Sequence, residues 1–139
     1  MALNFKKANS TVLVRKDFGA CFDFYTEKIG LLPVMGDRNG PWCGFVTDKN
    51  EGDDYCFAIF EGKAQSAHKG YVQPVGTMQP DTISLSIPSD NIDEDYKRLK
   101  EAGVEFSSEP QTIEDWGMRC VYFRDPEGNL LSLEGEIPG

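Results

Sequence analysis

Residues 116 to 134 read Trp-Gly-Met-Arg-Cys-Val-Tyr-Phe-Arg-Asp-Pro-Glu-Gly-Asn-Leu-Leu-Ser-Leu-Glu, and this stretch decides the fold. Its centre, Asp125-Pro126-Glu127-Gly128, has the composition of a turn. Pro126 presets φ for the first central position, and the glycine accepts the left-handed conformation that returns the chain. Residues 118–124 and 129–134 are therefore predicted to pair as a hairpin.

The residues upstream of this hairpin follow an order that occurs twice. In each half, a strand pattern precedes a helix that begins after an N-cap residue, Asp17 or Asn91, and ends at a glycine, Gly30 or Gly103. Segments rich in turn formers separate the remaining strand patterns. The strands are predicted at 11–14, 31–35, 42–47 and 55–60 in the first half, and at 82–87, 104–106, 118–124 and 129–134 in the second.

Both halves thus have the order βαβββ, which predicts an α+β fold of two modules. We expect a single domain over residues 1–139, with module one at about 8–62, a connector at about 63–80 and module two at about 81–136. Two such modules can form curved mixed sheets around a concave cavity, where small ligands commonly bind.

Composition restricts the class of partner. The 139 residues carry 14 basic and 23 acidic side chains, and the net charge of −9 would repel nucleic acid and an anionic membrane surface alike. The four cysteines are far apart and form no C-x-x-C pair, which argues against a zinc knuckle or a redox motif. No long apolar stretch follows the N-terminus, so we expect a cytoplasmic protein with free thiols.

Two segments resemble a known superfamily. Asp17 with Phe24-Tyr25-Thr26-Glu27-Lys28-Ile29-Gly30-Leu31, and later Trp116-Gly117 with Phe123-Arg124-Asp125-Pro126-Glu127-Gly128-Asn129, are similar to the vicinal oxygen chelate superfamily. That superfamily contains glyoxalases, bleomycin-resistance proteins and extradiol dioxygenases. The resemblance covers nearly the whole chain and implies a metal site with four side-chain ligands on strands that open and close the modules.

The positions that the resemblance assigns to metal ligands hold other residues here. They fall on Ser10, Ala58, Thr82 and Ser132, and a shift of one in the first strand gives Asn9 or Thr11 in place of Ser10. None of these is a usual ligand for a catalytic divalent ion, and the only histidine, His68, lies in the connector. We therefore predict no bound catalytic metal and no other cofactor.

The catalytic group, if there is one, is not identified by sequence. A serine or cysteine triad would need His68, and no G-x-S-x-G motif is present. General acid/base work by Glu61, Asp115 or Glu134 stays open, with Glu134 as a weak candidate because it shares a strand face with Ser132.

Strand alternation indicates which residues line the concave surface. Cys56 and Phe60 share a face with Ala58, and a bulge at Gly128 would place Tyr122 opposite Ser132, with Met118 and Cys120 on the same face and Arg119 pointing away. Aromatic faces suit a planar or cationic ligand, although core packing is the alternative for each of these side chains. The predicted ligand-binding residues are Trp42, Phe60, Trp116, Met118, Tyr122 and Glu134.

Three functions from different classes follow. The first is a metal-independent small-molecule binding protein that resembles the bleomycin-resistance branch; the resemblance implies a homodimer and a planar or cationic drug as ligand. The second is an enzyme: a glyoxalase-like lyase or isomerase, or a relative of the dioxygenases, with an atypical or displaced metal site, or a metal-free acid/base catalyst using Glu134. The third is an interaction module that binds no ligand.

Overall fold

The computed structural model describes residues 4, 9–52, 55–61 and 84–138. The chain divides into two compact units, Met1–Gln73 and Pro74–Gly139. Each unit contains one four-stranded mixed sheet, as the βαβββ prediction requires. The longest α-helix within the described residues has ten residues, and no helix there qualifies as a membrane span.

The described residues of the first unit form one sheet, one helical segment and a 3-10 turn. Its strands are β1 (Ser10–Val14), β2 (Leu32–Val34), β3 (Trp42–Val46) and β4 (Phe57–Glu61), in the order β1-β4-β3-β2. Strand β1 is parallel to β4, and the other pairs are antiparallel. Helix α1 (Phe18–Asp23) continues as a π-helical segment (Phe24–Lys28), and a 3-10 turn occupies Lys49–Glu51.

The helical segment of the first unit covers one face of its sheet. Asp17 caps α1, because its carboxylate accepts a hydrogen bond from Ala20 N at 3.0 Å. Tyr25, which is fully buried, makes an edge contact with Phe57 at 5.0 Å between ring centroids and lies 5.8 Å from Phe45. Odd-numbered residues of β3 and β4 therefore face the helix, and even-numbered residues face the opposite side.

The predicted first helix differs from the observed one in its second half. The apolar spacing predicted a regular helix up to Gly30, whereas the hydrogen bonding widens after Asp23. Ile29 N donates to Phe24 O, five residues back, at 3.1 Å, and Thr26 Oγ1 donates to Phe22 O at 2.9 Å. The Thr26 hydroxyl uses the Phe22 carbonyl, which would accept a backbone N–H in a regular α-helix, and the wider π-helical turn is compatible with this bond.

The second unit repeats the plan. Its strands are β5 (Ser84–Pro88), β6 (Gln111–Ile113), β7 (Met118–Arg124) and β8 (Leu130–Gly135), in the order β5-β8-β7-β6. Helix α2 (Ile92–Glu101) begins after Asn91, whose side chain accepts from Glu94 N and donates to a Glu94 carboxylate oxygen. The predicted N-cap is confirmed, but the capping box is incomplete, because Asn91 N donates to Ser89 Oγ at 3.2 Å and not to the Glu94 carboxylate.

The hairpin formed by β7 and β8 has the predicted turn and register. Gly128 has φ of 87° and its N–H donates to Asp125 O at 3.0 Å, while Asp125 N donates to Asn129 O at 3.0 Å. Tyr122 lies opposite Ser132, as predicted from a bulge at the glycine.

One predicted strand was wrong. Residues 104–106 form no strand, because Phe106 makes only an isolated bridge to Phe123, and the edge strand is instead β6. The alternating apolar residues reflect core packing: Val104 is buried, and the Phe106 ring lies 4.7 Å from Tyr96 and 5.3 Å from Phe123. Apolar alternation alone does not distinguish a strand from a loop that packs beneath a helix.

Candidate ligand-binding site

The first unit presents aromatic side chains on the sheet face opposite its helix. Trp42 and Phe60 are paired neighbours on β3 and β4, and both belong to the even-numbered face. We call Trp42, Tyr55 and Phe60 the aromatic face. All three are half-buried.

The Trp42 and Tyr55 rings pack together above Gly44. Their centroids are 5.1 Å apart at an interplanar angle of 80°, an edge-to-face arrangement. A Cβ at Gly44 would lie 2.9 Å from Trp42 Cη2 and 3.0 Å from Tyr55 Cγ. Glycine is therefore required here by close approach of the two rings, and its φ is not in the left-handed region.

Tyr55 was not among the predicted site residues. Its predicted place was the first position of a strand, whereas that strand begins at Phe57. Gly44 was the available signal. A glycine inside an apolar strand, two residues after a tryptophan, often marks the close approach of another group.

The first-unit positions that the family resemblance assigns to metal ligands offer few atoms that could bind a metal. Ala58 is fully buried and has no donor atom on its side chain. Thr11 is its neighbour on β1, whereas Ser10 pairs with Phe57 and shares the helix-facing side. The register therefore favours Thr11, which was one of the two alternatives to Ser10, as the residue beside Ala58.

The second unit places a polar cluster on the sheet face opposite α2. Ser132 on β8 is fully buried and pairs with Ser86 on β5. The hydroxyls of both serines lie 3.1 Å from the same oxygen of Glu134, Oε1, and 3.4 Å from each other. We call Ser86, Ser132 and Glu134 the serine–glutamate cluster. Ser86 was not predicted, although alternating serines in the sequence Ser84-Leu85-Ser86 were a signal for one polar face.

Residues of β7 line the same face beside the cluster. Tyr122 is 37% exposed opposite Ser132, and Cys120 is buried opposite Glu134. Met118, two residues earlier, is half-buried. Arg119 points to the other face, as predicted, because its guanidinium pairs with Asp93 of α2 at 2.7 Å. That contact lowers the pKa of Asp93 by a hydrogen bond from the guanidinium.

Trp116 belongs to the second unit and is largely exposed. It ends a 3-10 turn (Glu114–Trp116) before β7 and is 63% exposed. The six predicted ligand residues thus occupy two units, with Trp42 and Phe60 in the first and Trp116, Met118, Tyr122 and Glu134 in the second. Thr82 and His68 lie outside the described residues.

The thiols near these residues are poor nucleophiles. Burial raises the pKa of Cys43 to about 11, and burial, together with the charge of Glu134, raises the pKa of Cys120. A raised pKa keeps a cysteine as the neutral thiol at neutral pH, whereas the thiolate is the reactive form. All four cysteines are free.

Among the residues that the structure describes, the donor set does not fit the metal that the fold family implies. Ala58 offers no ligand atom, and the Ser132 hydroxyl is engaged with Glu134. No group of three or more His, Cys, Asp or Glu side chains within the described residues is arranged to hold an ion. Glu134 alone would supply one hard ligand of the several that a divalent ion needs.

Comparison with known proteins places the chain in a family. Residues 7–133 match the model of the Glyoxalase/Bleomycin resistance protein/Dioxygenase superfamily, and the chain belongs to this superfamily. Among curated proteins, it is 33% identical over 124 residues to Bacillus subtilis YraH, an uncharacterized protein, covering 87% of this chain and 91% of the relative.

Solved structures share the fold. A glyoxalase/bleomycin resistance protein/dioxygenase from Nocardioides matches 99% of this chain and 88% of its own, with a TM-score of 0.71 and 21% identity. An Agrobacterium tumefaciens lactoylglutathione lyase matches 94% of each chain, with a TM-score of 0.65 and 18% identity. The fosfomycin resistance protein FosX of Listeria monocytogenes matches 97% of this chain and 96% of its own, with a TM-score of 0.61 and 18% identity.

Proposed function

We propose that this protein binds a planar, aromatic and preferably cationic small molecule without a metal ion, in the manner of the bleomycin-resistance branch. The observation that carries the proposal is the Trp42–Tyr55 ring pair, which is half-buried above Gly44 and next to Phe60. Such rings offer a large apolar surface on which a flat ligand can stack.

Packing supports a binding role for this aromatic face. On the helix side of the sheet, Tyr25, Phe45 and Phe57 are buried against each other. The three rings of the aromatic face belong to the opposite side, where they stay half-buried although the neighbouring Val46 and Ala58 are buried. Because Gly44 has no side chain, the Trp42 and Tyr55 rings can pack directly on the strand at this position.

Charge supports a cationic ligand. The net charge of −9 raises the local concentration of cations, and aromatic faces attract a cation placed above the ring. Four free thiols suit a reducing compartment. As parts of the same proposal, we expect a single-domain, cytoplasmic homodimer.

Fluorescence of Trp42 tests the proposal. In a Trp116→Phe background, Trp42 is the only tryptophan, and we expect saturable quenching by bleomycin, mitomycin or planar acridinium compounds. The same ligands should raise the melting temperature, because they bind only the native state. We expect both effects in metal-stripped protein.

Two variants separate stacking from general effects. Trp42→Leu should weaken binding about tenfold, because a stacking partner is lost. Calorimetry measures this loss, since the variant lacks the fluorescent reporter. Ile137→Ala, at an exposed apolar position outside the predicted site residues, is the control and should bind like the parent. The proposal fails if the panel changes neither the Trp42 emission nor the melting temperature.

A second candidate function is metal-free acid/base catalysis by Glu134. It is favoured by one observation, namely that two hydroxyls hold one oxygen of this carboxylate. The match to a lactoylglutathione lyase shows a shared fold only and does not establish activity. An assay for turnover of a hemithioacetal tests activity directly. Glu134→Gln should abolish turnover without added metal, and retained turnover in this variant excludes the role.

A further inference from the structure

The serine–glutamate cluster leaves one carboxylate oxygen available. The Ser86 and Ser132 hydroxyls both lie 3.1 Å from Glu134 Oε1, and each has a single hydrogen to donate. Within the described part of the chain, no hydrogen bond reaches the second oxygen, Oε2. The two serines thus fix the orientation of the carboxylate and leave Oε2 as an acceptor.

The carboxylate also lacks a cationic partner among the described residues. The nearest arginine along β7, Arg119, lies on the other face and is paired with Asp93. The ion pairs seen in this part of the chain join other residues. A half-buried carboxylate without a cation is a favourable place for a positively charged group from a ligand.

The neighbours of Glu134 suit a ligand with an organic cation. Cys120 stays protonated, because burial and the nearby carboxylate raise its thiol pKa, so it adds no second negative charge. Tyr122, opposite Ser132 and 37% exposed, adds an aromatic ring to the same face. A carboxylate beside an aromatic ring is a combination that binds ammonium and guanidinium groups.

We propose that Glu134, oriented by Ser86 and Ser132, anchors an ammonium or guanidinium group of a small-molecule ligand, with Tyr122 as the adjacent aromatic contact. This inference rests on the proposed small-molecule binding function and specifies the chemical class of the ligand. It assigns the serine pair a positioning role, since the hydroxyls act through Glu134.

Matched probes test the anchor. Naphthylmethylammonium and naphthylmethanol have the same aromatic body and differ in charge. Affinity for each is measured by thermal shift and by calorimetry, and Trp42 quenching is recorded separately in the Trp116→Phe background. The parent protein should prefer the ammonium probe about tenfold, the scale of one charge-assisted hydrogen bond at a partly exposed site.

Three variants locate the preference. Glu134→Gln keeps an oxygen acceptor for the serine hydroxyls, and it should reduce the preference to near one while leaving binding of naphthylmethanol unchanged. Ser132→Ala removes one positioning hydroxyl and should reduce the preference by a smaller factor. Glu101→Gln, at an exposed position of α2, is the charge-matched control and should keep the preference.

The outcomes separate this inference from the proposed function. Equal binding of both probes by the parent, or an unchanged preference in Glu134→Gln, overturns the anchor and leaves the stacking function standing. An equal loss in Glu101→Gln also overturns it, because general electrostatics would then explain the preference. Glu134-dependent binding of the ammonium probe supports the anchor, and the Trp42 emission recorded with the same probe tests the aromatic face separately. Binding of neither probe overturns the anchor, whereas the stacking function is decided by the panel of planar ligands.

Discussion

At the scale of single residues, a few side chains decide which chemistry the two sheets can offer. Ala58 and Ser132 occupy positions that the family resemblance assigns to metal ligands, and neither suits a divalent ion. Gly44 allows two rings to pack above the first sheet, and Glu134 receives two hydroxyls on the second. These local substitutions change the chemistry available on an unchanged fold.

The clearest prediction at this scale concerns Gly44→Ala. The added methyl group would meet Trp42 Cη2 at 2.9 Å, so the ring must shift. We expect a cost of about 1–2 kcal/mol in the free energy of unfolding. The Trp42 emission maximum should change in a Trp116→Phe background, and affinity for planar ligands should fall with it.

Two controls accompany this glycine variant. Gly19→Ala lies in the same unit, and the atoms nearest to its added methyl group belong to the guanidinium of the exposed Arg38, so the Trp42 emission should not change. In a Trp42→Leu background, Gly44→Ala should cost less than in the parent, because the closest clash is removed. Additive costs in this cycle would show that the rings are not the cause.

At the scale of elements, the β7–β8 hairpin depends on one buried carboxylate. Asp125, only 5% exposed, accepts from Glu127 N, Asn129 N and Asn129 Nδ2, each at 2.9 Å. The turn therefore holds its shape by side-chain hydrogen bonds in addition to the preference of Gly128 for positive φ. The hairpin in turn sets the register that brings Tyr122 beside Ser132.

Asp125→Ala should consequently destabilise the protein by about 2–4 kcal/mol, since three donors lose a charged acceptor. Urea denaturation followed by circular dichroism measures the change. Pro126→Ala, at the next position, is the control and should cost less than about 1 kcal/mol, because it alters mainly the freedom of the unfolded chain. Similar costs for both variants would contradict the role of the carboxylate.

At the scale of the whole molecule, the two units repeat one strand order but present different surfaces opposite their helices. The first is aromatic, with Trp42, Tyr55 and Phe60, and the second is polar, with the serine–glutamate cluster. In such a duplicated fold, one unit can provide apolar contact with a ligand and the other can recognise charge.

A prediction for the whole protein is that no catalytic metal contributes to its stability. Dialysis against EDTA should leave the melting temperature unchanged, and later addition of Zn, Ni, Mn or Fe at stoichiometric amounts should not raise it. Elemental analysis of protein purified without chelator is the accompanying measurement. Tight stoichiometric binding of any of these ions would reject the prediction and would favour the enzyme function.

Local chemistry explains which elements could be predicted. The hairpin turn, both helix N-caps and the opposition of Tyr122 to Ser132 follow from residues close together in sequence. The strand predicted at 104–106 did not form. Phe106 packs its ring against Tyr96 and Phe123, and this burial produces the same apolar spacing as a strand. The π-helical segment was likewise not predictable, since it depends on which carbonyl accepts the hydrogen bond from the Thr26 hydroxyl.

The sequence by itself determined the βαβββ repeat, the family and the absence of usual ligand types at Ala58 and Ser132, because turn chemistry and periodicity act over a few residues. Only the tertiary structure decided that Tyr55 packs on Trp42 above Gly44, and that Ser86 and Ser132 share one oxygen of Glu134. Those contacts join residues up to 48 positions apart. They depend on strand pairing between distant segments, which no local pattern encodes.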